Sequence, residues 1–363
     1  MKILSICIAS YNKSDITTRL VKSILTCKSS ELEVVAVDNA SPDNTVELLN
    51  TINDDRLRVI QNKENIGGAR NLIKSLFEAK SLFCLYVNDR DVVFPDQLDD
   101  FISFLKNHHN IGGGHCVRKI VQKGVDFIEH HGVEALLSIN FKAAHPTGFF
   151  FRRELLDSIP QKSIDKYVDA MLFTPFPYEN LLCEIICKGY SVVEYNRVIW
   201  RSTGNETHNK YVSGFVKIDK GGDRWFYPGN CLRRTIENVE DTLRLCKENG
   251  IVLSEIEKYK LYAHLLDHQY RLGVYRYKII HETPTLATHY AVKCRKIDKD
   301  EVLKCRSEIL DGYFEYIREK NGGYNRNEKY ITDLISKVDK DKQERPFIDF
   351  LSRMKHFIVK KIM

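Results

Sequence analysis

Apolar residues in the first hundred positions fall in short runs separated by helical periodicities, and that alternation predicts the architecture. Ile3 to Ala9 reads as a buried strand, and Ser14 to Leu25 as a helix with Ser14 or Asp15 at its cap. Leu32 to Val37 is a second strand, ending in Asp38-Asn39-Ala40-Ser41-Pro42-Asp43-Asn44, a cluster of turn residues before a helix over Thr45 to Ile52. Leu57 to Gln61 is a third strand, followed by Asn65-Ile66-Gly67-Gly68-Ala69-Arg70-Asn71 and a helix through Lys80. Ser81 to Val87 is the fourth. This rhythm predicts a mostly parallel sheet with helices on both faces.

Past Pro95 the pattern changes. Gln97 to Asn107 reads as a helix, Gly112-Gly113-Gly114 is expected to break the chain, and Val117 to Val121 and Gly148 to Phe151 read as strands. Tyr178 to Lys188 is expected as an amphipathic helix closed by Gly189, with strands following over Ser191 to Tyr195 and Val198 to Arg201. Asn205 to Pro228 reads as a long loop, and helical periodicity dominates beyond it, as in Arg233 to Asn249 and Ser254 to Leu272. The expected organisation is an α/β domain over 1–228 and a mainly helical region over 229–363. Near the end, Phe347, Phe350, Leu351, Met354, Phe357, Ile358 and Ile362 share a helical face, with Arg353, Lys355, Lys360 and Lys361 available to the polar side. Packing on the protein or a partner, and lying on an anionic membrane, both stay open for it.

Composition adds limits. The 363 residues are 43% hydrophobic and 29% charged, the balance of a globular protein, and a net charge of +6 spread among acids does not mark a nucleic-acid binder. The apolar start is too short for a signal peptide, and no segment reaches the roughly 20 apolar residues of a membrane span, so a cytosolic protein is expected. Ten cysteines are scattered along the chain, with Cys7 and Cys84 in predicted strands. Cys183 and Cys187 lie one helical turn apart without a second ligand pair, so no zinc site is expected.

The candidate chemistry begins at Leu85-Tyr86-Val87-Asn88-Asp89-Arg90-Asp91, a buried-type strand that ends in two carboxylates able to hold a hard divalent cation. Asp38 also follows a strand, where it either caps the next helix or accepts hydrogen bonds from a base or ribose. Gly67-Gly68 permits close backbone approach at a helix start whose amides favour anions. Neither a GxGxxG nor a Walker A pattern is present, which removes the main support for dinucleotide and P-loop readings.

Jointly these segments resemble the inverting glycosyltransferase family 2. The resemblance rests on Ala9-Ser10-Tyr11-Asn12, Val37 to Thr45, Asn65 to Asn71, and Asn88-Asp89-Arg90-Asp91 with Pro95-Asp96, covering about residues 1–100, and continues more weakly through Gly148 to Leu155 and Tyr178-Glu179-Asn180. It implies a GT-A fold, a nucleotide-sugar-binding, Rossmann-like mixed sheet flanked by helices. It also implies transfer from a nucleotide sugar, a UDP-sugar foremost, to a hydroxyl of a glycan or lipid-linked oligosaccharide in surface polysaccharide synthesis, at the inner face of the cell membrane. The donor contacts it implies are Ala9, Tyr11, Asp38, Asn65, Gly68, Arg70, Asn88, Asp89 and Arg90. Asp89 and Asp91 stand at its acidic motif for Mn²⁺ or Mg²⁺, with His208 as a third ligand or a surface histidine.

Two departures from the family pattern follow. Asn88 and Arg90 occupy positions where acids are common, so that either a bulge restores the metal pair or Arg90 takes over part of the charge neutralisation. Glu179-Asn180 replaces Glu-Asp, which leaves Glu179 as the expected base and Asp169 in reserve. His145 and Thr147 read as a turn or an acceptor contact, and Trp225 as an aromatic face for a sugar. An inactive nucleotide-sugar-binding scaffold and a nucleotidyltransferase remain as alternatives, and the oligomeric state is open.

Overall fold

The computed structural model describes residues 2–139, 145–169, 177–202, 228–255 and 293–320, with shorter pieces between 257 and 287. Its strands are β1 (Leu4–Ser10), β2 (Leu32–Asp38), β3 (Leu57–Gln61), β4 (Phe83–Asn88), β5 (Val92–Val93), β6 (Gly113–Cys116), β7 (Phe127–His130), β8 (Phe149–Arg152), β9 (Val192–Tyr195) and β10 (Trp200–Arg201). Eight of them form one mixed sheet in the order β3-β2-β1-β4-β8-β6-β9-β7, while β5 and β10 pair separately. The helices α1 (Ser14–Ile24), α2 (Thr45–Asn50), α3 (Gly68–Phe77) and α4 (Pro95–Asn107) fall where the periodicity predicts them.

The chain builds outward from β1 to β2 to β3, then crosses back past β1 to form β4. Right-handed crossovers in opposite directions place their helices on opposite faces. Accordingly Ile6, Ile8 and Val34 bury against Leu20 and Val21 of α1 and Phe101 of α4. Cys7, Cys84 and Tyr86, facing the other way by the two-residue strand period, bury against Leu72 and Leu76 of α3. The reversal leaves a crevice between the C-terminal ends of β1 and β4, the place where open α/β sheets bind ligands.

Three expectations need correction. The glycine run does not break the chain, because Gly113 and Gly114 are themselves in β6. A Cβ on Gly114 would lie 1.9 Å from the Val193 carbonyl oxygen, and one on Gly113 2.4 Å from that of Phe150, so close packing between neighbouring strands requires glycine. Val117 to Val121, expected as a strand, is the loop that follows. Last, α8 (Pro177–Cys187) is buried at all eleven positions and is not amphipathic in its setting. It is covered on its outer side by the helix Pro228–Glu248, whose Val239, Leu245 and Cys246 share its core with Ile309 and Tyr313 of the helix Lys299–Lys320. The helical region thus continues the core of the sheet domain.

The sequence pattern missed β7, α5 (Gly132–Ser138), α6 (Arg153–Asp157) and α7 (Gln161–Asp169), all short. The loop over 205–227 and the segment 347–363 lie outside the described residues. Among the described residues no helix is long and apolar enough to cross a membrane.

Candidate active site

Asp38 ends β2 fully buried, and its carboxylate accepts from the Ser41 amide at 2.9 Å and from the Ser41 hydroxyl. Ser41 Oγ in turn accepts from the Asn12 amide at 2.8 Å, and Asp43 accepts from the Ser14 amide at 3.0 Å. The loops after β1 and β2 are thereby tied together. Asn12 and Ala40 are the non-glycine residues with positive φ among those described, at 54° and 57°. Left-handed backbone at both strand ends is held by this network, and such strain concentrates at functional sites. Asp38 does not cap the following helix: the N-cap position of α2 is Asn44, without a side-chain cap, and Asp43 just before it accepts from the Thr45 amide at 3.2 Å.

A chain of side-chain amides, buried at Asn39, Asn62 and Asn71 and exposed at Asn65, fixes the next loop. Asn62 donates to Asn39 at 2.9 Å and to Asn71 at 2.8 Å, Asn39 donates to Asn65 at 2.8 Å, and Asn65 accepts from the Gly67 amide at 2.9 Å. Gly67 takes φ of 86°, which favours glycine, and a Cβ built on Gly67 or Gly68 would meet nothing within 4 Å. The start of α3 therefore faces open space. Arg70, two residues on, reaches sideways to Asp165 of α7 at 3.0 Å, and both side chains are more than 40% exposed at 44% and 43%.

The crevice between β1 and β4 is bridged by a residue that sequence reasoning passed over. Lys13 donates to both oxygens of Asp89, at 2.8 and 3.0 Å, with the carboxylate side chain only 4% exposed. Its signal was its place, directly after a strand end that faces the acidic motif. Ala9 and Asn88 pair across the two strands, and Tyr11, half-buried, leads into the loop that carries Lys13.

Asp91 is buried beside this pair. Thr147 donates to its Oδ2, while Oδ1 has no hydrogen-bond partner among the described residues. Burial pushes its carboxyl up to about 6, against the lowering influence of Thr147 and the nearby charge of Arg90. The Asn88 amide donates to Thr147 Oγ1 at 2.9 Å, so Thr147 ties the motif to the strand that follows it. His145 accepts from the Thr147 amide through Nδ1 at 3.2 Å and places Nε2 3.5 Å from Asp91 Oδ2. The bond at Nδ1 leaves the ring proton on Nε2.

Glu179, 1% exposed, stands in the first turn of α8, with Asn180 at 7%. Its neighbour Tyr178 packs its ring 4.4 Å from that of Phe149, two residues past Thr147, which sets this helix start beside the Asp91 cluster. Asp169 is the last residue of α7. His208 and Trp225 lie outside the described residues. The structure thus gathers Asp89, Asp91, Asn88, Thr147 and His145 at one strand edge, sets Asp38 at the end of β2 and Asn65 in the loop after β3, and turns Arg70 toward α7.

Residues 5–160 match the sequence profile of the family described as Glycosyl transferase family 2. This stretch is a family 2 glycosyltransferase domain. Over 108 residues, 29% of this chain, the domain is 29% identical to a UDP-Glc:alpha-D-GlcNAc-diphosphoundecaprenol beta-1,3-glucosyltransferase, WfaP, of Escherichia coli, covering 42% of that protein. Over 112 residues, again 29% of this chain, it is 31% identical to a poly(ribitol-phosphate) beta-N-acetylglucosaminyltransferase, TarS, of Staphylococcus aureus, covering 19% of it. The matches span less than half the length of these relatives. A crystal structure of S. aureus TarS 1-349 in complex with UDP-GlcNAc shares the fold with a TM-score of 0.53 at 19% identity, covering 90% of this chain and 93% of that one. The family 2 domain therefore carries the expected GT-A fold.

Proposed function

We propose that this protein is an inverting glycosyltransferase that moves a sugar from a UDP-sugar to a hydroxyl of a glycan or lipid-linked oligosaccharide. The single observation that carries the reading is the crevice between β1 and β4, where Lys13, Asp89 and Asp91 meet at the C-terminal strand edge. The relatives support the donor class, since one is named for UDP-glucose and the TarS structure holds UDP-GlcNAc.

In this account the loops after β1 and β2, braced by Asp38 and Ser41, receive the uridine. The open face over Gly67-Gly68 receives part of the diphosphate at the amides that start α3. Glu179 takes the proton of the acceptor hydroxyl as its oxygen bonds to the anomeric carbon from the face opposite the nucleotide. The bond between that carbon and the diphosphate oxygen breaks, and its electron pair leaves with UDP. His145 and Thr147 fix the Asp91 carboxylate and, in this reading, contact the acceptor.

A divalent cation such as Mn²⁺ or Mg²⁺ fits Asp91, whose buried Oδ1 has no hydrogen-bond partner among the described residues. Among the described residues no group of three acidic, histidine or cysteine side chains that could hold a metal ion is present, so Asp91 is the residue that would hold it. When bound, it would neutralise the departing diphosphate. Asp89 is already paired with Lys13, which leaves Asp91 as the carboxylate for the ion and the Lys13 ammonium as a donor that a phosphate oxygen would share with Asp89.

Product analysis tests the reading. Incubated with a UDP-sugar and an acceptor, the protein should release UDP with the sugar joined through an inverted anomeric centre. Release of pyrophosphate from a nucleoside triphosphate would instead establish a nucleotidyltransferase, and tight UDP-sugar binding without turnover a scaffold.

A further inference from the structure

The loop from Arg118 to Gly124 is exposed at every residue. It leaves β6, which is antiparallel to β8 as β4 is, so it emerges at the same sheet edge as the ends of β1 and β4. The carbonyl of Cys116 at its root accepts from Trp200 Nε1 at 3.0 Å, and the Trp200 ring lies 4.9 Å from that of His145. The loop thus rises from the wall of the candidate site.

It is held in shape from below. Asn196, 2% exposed, accepts from the Val121 amide at 2.7 Å and donates to the carbonyls of Gln122 and Val125. Arg197 clasps Asp126 with two N–H groups, at 2.9 and 3.1 Å. On this braced tip Ile120 and Val121 are 56% and 65% exposed, flanked by Arg118, Lys119 and Lys123, and no acidic residue lies between Val117 and Val125. Two adjacent branched aliphatics held out in water contribute nothing to the core. Ringed by positive charge, they match an interface that is apolar just beneath an anionic surface.

We propose that this loop docks on an anionic bilayer, with Ile120 and Val121 entering between headgroups and Arg118, Lys119 and Lys123 meeting lipid phosphates. A soluble polyanion would satisfy the three cations and leave both aliphatics in water, so the apolar pair decides for lipid. The inference rests on the proposed glycosyl transfer only for its purpose, which is to bring the site edge to an acceptor anchored in that bilayer.

Flotation of the full chain with phosphatidylcholine vesicles, with and without phosphatidylglycerol, tests it. The protein should float only with the anionic vesicles. Replacing the three basic residues by Gln should weaken partitioning about a hundredfold, at about fivefold per charge, and Ile120→Ser with Val121→Ser by about tenfold. UDP binding, measured on the same samples, should be unchanged in both variants. Equal flotation of wild type and either variant, or none at all, overturns the docking loop. Loss in the Gln variant alone, with soluble polyphosphate competing, would assign the loop to a polyanion instead. Loss of UDP binding by the wild type would refute the proposed function while leaving the flotation result standing.

Discussion

Lys13 and Asp89 face each other across the crevice between β1 and β4, with the ammonium donating to both carboxylate oxygens at 2.8 and 3.0 Å. Removing one partner of a buried pair strands the other's charge. Lys13→Met should therefore lower unfolding stability by roughly 3 kcal/mol. Lys13→Met combined with Asp89→Asn should recover most of that loss, since an apolar and a neutral side chain leave no buried charge. Denaturant unfolding of the three proteins checks it, and a double variant no more stable than the single one contradicts the pairing.

Glu179 is the proposed base. Glu179→Gln keeps its shape and hydrogen-bonding capacity but removes the proton acceptor. Transfer should fall by about 10² to 10⁴ while UDP affinity stays within a factor of two or so. Steady-state rates and calorimetry on the same preparation separate the two effects, and Asp169→Asn should leave the rate near wild type.

Close packing at β6 predicts a fold effect away from the site. A Cβ on Gly114 would meet the Val193 carbonyl oxygen at 1.9 Å and the Phe150 ring at 2.9 Å. Gly114→Ala should cost about 3 kcal/mol or more, because the obstacle is backbone. Gly68→Ala, where nothing lies within 4 Å, should leave stability nearly unchanged.

His115 supplies a pH dependence. Burial, with the charge of Arg118, lowers its imidazole from 6.5 to about 4, so the folded protein keeps it neutral while the unfolded chain takes up a proton below about pH 6.5. Its contribution is fully present above pH 6.5 and is lost as pH falls through 4, by roughly 3 kcal/mol in all. Melting temperature followed over that range should fall less steeply for His115→Gln than for wild type.

The sequence was most legible where local period and tertiary role agree. Alternating Leu4, Ile6 and Ile8 against Cys7 mark both faces of a central strand, and helices α1 to α4 carry ordinary amphipathic stripes. It misled where tertiary contact overrides local preference. Gly113 and Gly114 look like breakers, yet they are strand residues chosen for close approach, and the mixed faces of α8 are all covered because another helix packs outside it. At the site, the acids were legible from strand ends, and their partners were not. Lys13 is 76 residues from Asp89 and Thr147 is 56 from Asp91, and beyond the place of Lys13 just after β1 nothing in the sequence announces either contact.

The crevice between β1 and β4 is proposed to hold the diphosphate of a nucleotide sugar beside Lys13. Calorimetric titration of UDP and of uridine into wild type and into Lys13→Met with Asp89→Asn tests it most directly. UDP should bind the wild type and lose about tenfold or more in affinity for the double variant, while uridine, having no phosphates, should bind both alike. Equal UDP affinity for the two proteins, or an equal loss for uridine, would contradict it.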